Sequence, residues 1–161
     1  PLSISIGATV LVGYEVGAKR YKDARTYSWL SVGTAVMISF FSACILFFFR
    51  DQIASLYTTD ETVIQLTIHF FVFAALFQLS DAIQAPVQGS LRGYKDVNVT
   101  FIMAIISYWV IGLPVGYLLS KYTDFGPFGY WIGLIVGLTV GAITLSARLI
   151  RIQRKKQDTV Q

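Results

Sequence analysis

Apolar residues run through this chain in long blocks, and short clusters of charge separate them. The apolar blocks fall over residues 1–17, 32–49, 62–89, 98–120 and 130–149, and most Lys, Arg, Asp and Glu residues lie between or at the ends of these blocks. Crossing a bilayer takes about 20 apolar residues in a helix. The pattern predicts spanning helices over 24–49, 61–89, 98–120 and 130–149. It also predicts a shorter first helix, over 1–17, that reads as the second half of a span. A loop is expected over 50–61, with Thr59 or Asp60 capping the helix that begins at Glu61. A basic tail is expected over 150–161. The expected class is all-α, a polytopic membrane protein with about five transmembrane helices.

Composition agrees with the pattern. Of the 161 residues 55% are hydrophobic and 14% charged, where a soluble domain carries about 25% charged residues. The mean hydropathy is +0.61, and lipid is the solvent for that excess. If the helices alternate in direction, the loops at 18–29 and 90–97 and the tail share one side. Every basic residue except Arg50 and Lys121 lies in those three segments, with Arg148 at the entry to the tail counted with it. Basic loops stay on the cytoplasmic side, so the C-terminus is expected in the cytoplasm and the chain in the inner or plasma membrane. This distribution accounts for the basic pI and requires no nucleic-acid partner. Glu15 lies at the interface beside Lys19, Arg20, Lys22 and Arg25 and is expected to pair with nearby cations. The single cysteine, Cys44, has no partner for an intrachain disulfide. The chain begins at Pro1, inside apolar sequence and without a signal peptide, so it is expected to be the C-terminal piece of a longer protein.

Candidate chemistry centres on Asp81, deep in a segment that has no Lys or Arg from Arg50 to Arg92. Placing a charged Asp at a membrane-helix centre costs about 2.5–3.5 kcal/mol on insertion scales, so such residues face a bundle interior or a wet cavity. Binding a proton or a sodium ion neutralises the group, which can couple an ion gradient to a change of shape. Pro86 has no N–H, which frees the Ala82 carbonyl beside Asp81 and makes Pro86 a candidate helix bend. The alternative is that Asp81 only holds helices together through a hydrogen bond. Gln78, Gln84 and Gln88 extend the polar character of this helix; they either line a cavity or bond neighbouring helices. Phe77, one turn before Asp81, and Tyr108, on the next helix, are candidate contacts for an organic cation through their π faces. His69 lies too far along the helix to touch Asp81. Gly129, Gly133, Gly137 and Gly141 recur every four residues, and with Gly112 and Gly116 they read as helix-packing faces. There is no second deep carboxylate, no HExxH, no GxSxG and no phosphate-binding glycine loop, so the chain is not read as an enzyme. No cofactor is expected beyond a coupling ion, Na+ or H+.

These residues also carry a resemblance. Gln78, Asp81-Ala82-Ile83-Gln84, Gly89-Ser90-Leu91-Arg92-Gly93-Tyr94-Lys95-Asp96, Ser107-Tyr108-Trp109 and Gly112-Leu113-Pro114-Val115-Gly116-Tyr117 resemble the NorM branch of the multidrug and toxic compound extrusion (MATE) transporters. The resemblance implies a twelve-helix antiporter of two six-helix lobes, with residues 1–161 supplying most of the C-terminal lobe. It implies cation-coupled export of cationic, aromatic drugs or dyes. Asp81 matches the cation-coupling carboxylate of the family's tenth helix, with Na+ as one ion it would bind. The N-terminal lobe of the same protein would be the partner. Phe77 stands where some members have a tyrosine, keeping a π face without the hydroxyl.

Two other readings compete. A flippase for lipid-linked substrates of the same superfamily would be expected to need a cationic cavity, and no Lys or Arg lies inside a span. A non-transporting membrane scaffold would use Asp81 and the glycines only for assembly. A channel would call for a repeated filter loop, and none is visible.

Overall fold

A computed structural model describes residues 1–57, 61–123, 126 and 128–158. Thr59 and Asp60, expected to cap a helix, lie outside the described residues, as does the end of the tail. Every regular element among the described residues is helical: α1 (Leu2–Gly17), α2 (Tyr21–Phe48), α3 (Arg50–Tyr57), α4 (Glu61–Gly93), α5 (Val97–Ile105), a π-helical segment (Ile106–Gly112), α6 (Leu113–Tyr122) and α7 (Phe128–Asp158). Among the described residues four stretches are long and apolar enough to cross a membrane: Tyr21–Phe48, Leu66–Gly93, Val97–Tyr122 and Phe128–Asp158. The 16-residue α1 is apolar but shorter.

The observed bounds differ from the expected ones by three residues or more in four places. Residues 50–57, expected as loop, form α3, whose first turn carries Asp51 at the positive end of the helix dipole. The second helix starts three residues early, at Tyr21. The Asp81 helix runs one turn past Gly89 to Gly93, and it is helical through Pro86. The tail is not a loose extension: α7 stays helical to Asp158. Its reason is a stripe of apolar residues at helical spacing, since Leu145 and Leu149 are fully buried and Ile152 packs on the same core.

Two helix ends are built alike. After α1, the Arg20 N–H donates to the Glu15 carbonyl and the Lys19 N–H to the Val16 carbonyl; after α4, Asp96 donates to Leu91 and Lys95 to Arg92. Both are Schellman stops, with Lys19 (φ 59°) and Lys95 (φ 63°) in the left-handed position. Glycine is the usual residue there. A lysine adds a favourable charge at the negative end of each helix dipole.

α4 is the hub, packed against α1, α2 and α7. The core gathers Val12, Ala24, Val32, Val87, Leu91, Tyr94, Leu145 and Leu149, which lies toward the basic end of the bundle. There the three basic segments meet. Arg148 donates to Asp96 through Nε (2.8 Å) and the guanidinium NH2 (3.3 Å). The Lys156 ammonium stands 5.8 Å from the Tyr21 ring centroid, and Arg25 reaches Gln157 at 3.5 Å. Glu15 is buried and takes a two-pronged ion pair from Arg20, at 2.6 and 3.1 Å. That bond holds the Arg20 guanidinium above its ordinary pKa.

Backbone contact joins the last two spans. A Cβ on Gly133 would come within 2.5 Å of the Gly116 Cα and 2.6 Å of the Gly112 carbonyl oxygen, and one on Gly129 would meet the Ser120 nitrogen at 2.5 Å. The glycine ladder is a close helix seam, as small residues in membrane bundles allow.

Candidate functional site

The site is built where α4, the π-helical segment and α7 meet. Pro114 offers no N–H for the α-register bond to the carbonyl of Val110. Just before it, the Leu113 N–H reaches five residues back to the Tyr108 carbonyl. The helix therefore widens over Ile106–Gly112, the stretch that carries Ser107 and Tyr108. Single π turns of this kind recur at functional positions.

Tyr108 reaches across to α4. Its hydroxyl donates to Gln84 Oε1 at 3.0 Å. Gln84 is 1% exposed, and its Nε2 has no hydrogen-bond partner among the described residues. That amide lies against the bare backbone of Gly141 on α7, where a Cβ would come within 2.7 Å of Nε2. Four residues nearer the start of α4, Ser80 Oγ and Thr139 Oγ1 are 3.2 Å apart, a second polar tie between α4 and α7. Sequence reasoning placed Gln84 and Tyr108 on adjacent helices and could not pair them. It missed Thr139, and it read Gly141 as a packing position without the Gln84 amide that lies against it; the Gly-Leu-Pro run at 112–114 was the available signal for the widened turn.

Asp81 sits on α4 one turn before Gln84 and is partly buried. Tyr108 lies within electrostatic reach of it. Among the described residues no hydrogen bond or ion pair engages the Asp81 carboxylate, and no three His, Cys, Asp or Glu side chains gather as a metal cluster. Gln78 and Gln88 are partly buried on the same helix, above and below Asp81. Pro86 is fully buried.

Phe77 is drawn to α7 and does not pair with Tyr108. Its ring meets Trp131 edge-on at 6.5 Å between centroids. It continues an aromatic seam in which Phe70 and Phe73 stack near Phe128, at 4.9 and 5.5 Å. His69 is exposed, three turns away from Asp81. The bond from Tyr108 to Gln84, with Asp81 one turn away and the Ser80–Thr139 pair nearby, forms a polar cluster between largely apolar spans.

Comparison with known proteins fits this architecture. The MatE family profile matches residues 1–118. The chain belongs to the MatE family. Over 155 residues it is 57% identical to the "Probable multidrug resistance protein NorM" of Bacillus licheniformis and 54% identical to the protein of the same name in Bacillus subtilis. Each alignment covers 96% of this chain and 34% of the relative, so the chain spans about a third of the length of these MatE relatives. The crystal structure of a eukaryotic MATE transporter superposes on all of the chain with a TM-score of 0.86 at 25% identity, over 37% of the transporter's length. The helical bundle described above is thus a MatE fold, and Asp81, Gln84 and Tyr108 all lie inside the matched region.

Proposed function

We propose that this chain is the C-terminal lobe of a cation-coupled multidrug efflux antiporter, which takes Na+ or H+ inward and exports cationic, aromatic compounds. The observation that carries the proposal is the position of Asp81. It is a carboxylate partly buried in a membrane-length helix, one turn from a buried Gln84–Tyr108 pair at a widened turn of the next span. The names of the relatives, which read as multidrug resistance proteins, support the same direction.

In this mechanism Asp81 holds the coupling ion. A proton would neutralise it directly. A sodium ion would take its further oxygens from amides, hydroxyls and backbone carbonyls, and Pro86 leaves the Ala82 carbonyl without its helical partner next to Asp81. Gln78, Gln84, Gln88 and Tyr108 line the polar side of the path, and Phe77 offers a π face. An ion drives the cycle only by binding one arrangement of the bundle better than the other. Pro86 is the point at which α4 would flex between them. The basic end of the bundle faces the cytoplasm on this reading, and the N-terminal lobe of the same protein completes the pathway.

Efflux of a fluorescent cationic dye from cells expressing the intact transporter tests this, with wild type compared to Asp81→Asn in the presence and absence of sodium at fixed pH. Loss of efflux in the variant together with sodium stimulation of the wild type is expected for a sodium-coupled carrier. Loss of efflux with dependence on the proton gradient alone assigns the proton. Normal transport by Asp81→Asn at wild-type abundance defeats the coupling role and returns Asp81 to helix assembly.

A further inference from the structure

We propose that the groove formed by the α4–α5 turn, the start of α5 and the end of α7 binds one anionic phospholipid, its phosphate headgroup in a basic cavity and an acyl chain in the apolar cavity that adjoins it.

The basic cavity has a volume of about 290 Å³, and Lys95, Arg148, Lys155 and Lys156 line it with Asp96 and Tyr94. Asp96 is already engaged in the two-pronged pair with Arg148, so Lys95 and Lys156 leave the cavity with a surplus of positive charge. Lys95 is fixed in place by the Schellman stop after α4, which holds its backbone in the left-handed position. Lys155 and Lys156 are carried on the helical extension of α7, itself anchored by Leu149 and Ile152. A rigid turn and a rigid helix therefore present the cations, in place of a loose tail.

The second cavity, about 300 Å³, is lined by Val99, Met103, Thr144 and Ala147 together with Arg148 and Arg151. Arg148 belongs to both. Val99 and Met103 are one turn apart on α5, and Thr144 and Arg148 are one turn apart on α7, so this cavity continues from the charged end toward the membrane interior. The Thr144 hydroxyl bonds the Val140 carbonyl of its own helix at 2.8 Å, which removes its donor from the groove. Charge at the interface and an apolar slot one to two turns deeper match a phosphodiester headgroup and its acyl chain. Basic pockets between membrane helices at the cytoplasmic surface bind anionic headgroups in this way. A free phosphate would occupy the basic half alone and leave the apolar half without an occupant.

The test uses the intact transporter in detergent and reads lipid retention by native mass spectrometry. The probes are dioleoyl phosphatidylglycerol, dioleoyl phosphatidylcholine and glycerol 3-phosphate. Phosphatidylglycerol is expected to be retained at least about tenfold more tightly than phosphatidylcholine, and each of Lys95→Gln and Lys156→Gln to weaken it by about fivefold. Val99→Trp, which fills the apolar slot without touching charge, is expected to weaken phosphatidylglycerol as well. Lys19→Gln and Lys22→Gln, outside the cavity, are expected to leave retention unchanged and so separate a site from general surface charge. Equal retention of the two lipids overturns the proposal, as does full phosphatidylglycerol binding by the variant that combines Lys95→Gln with Lys156→Gln. Displacement of the lipid by glycerol 3-phosphate at equal concentration overturns it in favour of a free-phosphate site.

Discussion

Gln84 shows what one residue does inside an apolar bundle. Its side chain is buried, its carbonyl oxygen takes the Tyr108 hydroxyl, and its amide nitrogen has no partner among the described residues. A buried polar group left unpaired costs about 1–3 kcal/mol, whereas removing both partners of a bond together is close to neutral. Tyr108→Phe is therefore expected to destabilise the protein by about 1–2 kcal/mol, and Gln84→Met combined with Tyr108→Phe by less than Tyr108→Phe alone. A double-mutant cycle on thermal unfolding in detergent checks this. The same double variant separates structure from transport: if it is stable but loses dye efflux, the pair serves the ion or drug path. Full efflux would leave the pair as a helix tie alone.

Among elements, the seam between the last two spans depends on missing side chains. Gly133 faces backbone atoms of Gly112 and Gly116, which cannot rotate away from an added methyl, whereas a Cβ on Gly33 in α2 meets nothing within 4 Å. Overpacking of this kind typically costs about 1–3 kcal/mol. Gly133→Ala is expected to lower the unfolding temperature. Gly33→Ala is expected to hold or raise it, because alanine restricts the unfolded chain more than glycine does. Equal behaviour of the two would mean that α6 and α7 separate easily. The other element-scale feature is the widened turn at Ile106–Gly112, which sequence periodicity could not reveal. A π turn keeps the same apolar residues and changes only their register.

For the whole molecule, the end of α7 ties the first turns of α2 to the end of α4. Trp29 Nε1 donates to Gln153 Oε1 at 3.2 Å. The buried Tyr94 hydroxyl lies beside Gln153 and Ser28 without a well-formed bond to either, and burial pushes its phenol above the ordinary range. Leu149 is fully buried within this knot, whereas Leu118 on α6 is 52% exposed. Burying and then deleting a leucine costs about 2–5 kcal/mol. Leu149→Ala is expected to fall in that range in an unfolding experiment, with Leu118→Ala well below it; similar values for both would show that the extension is not anchored.

The spans, the depth of Asp81, the gathering of basic segments at one end and the glycine ladder were legible in the sequence. Lipid imposes its demands on consecutive residues: an apolar length, a charged break and a small residue each turn can be read along one helix. The helical extension of α7 hid in its lysines and arginines, which mask the Leu145, Leu149 and Ile152 stripe when only charge is counted. The short α3 hid because the apolar run had ended. The bond from Tyr108 to Gln84, the seat of that amide on Gly141, the turn of Phe77 toward Trp131 and the groove beside Lys95 were decided by tertiary structure. Each joins residues from different helices, and their meeting depends on the register and crossing of helices that no local periodicity specifies.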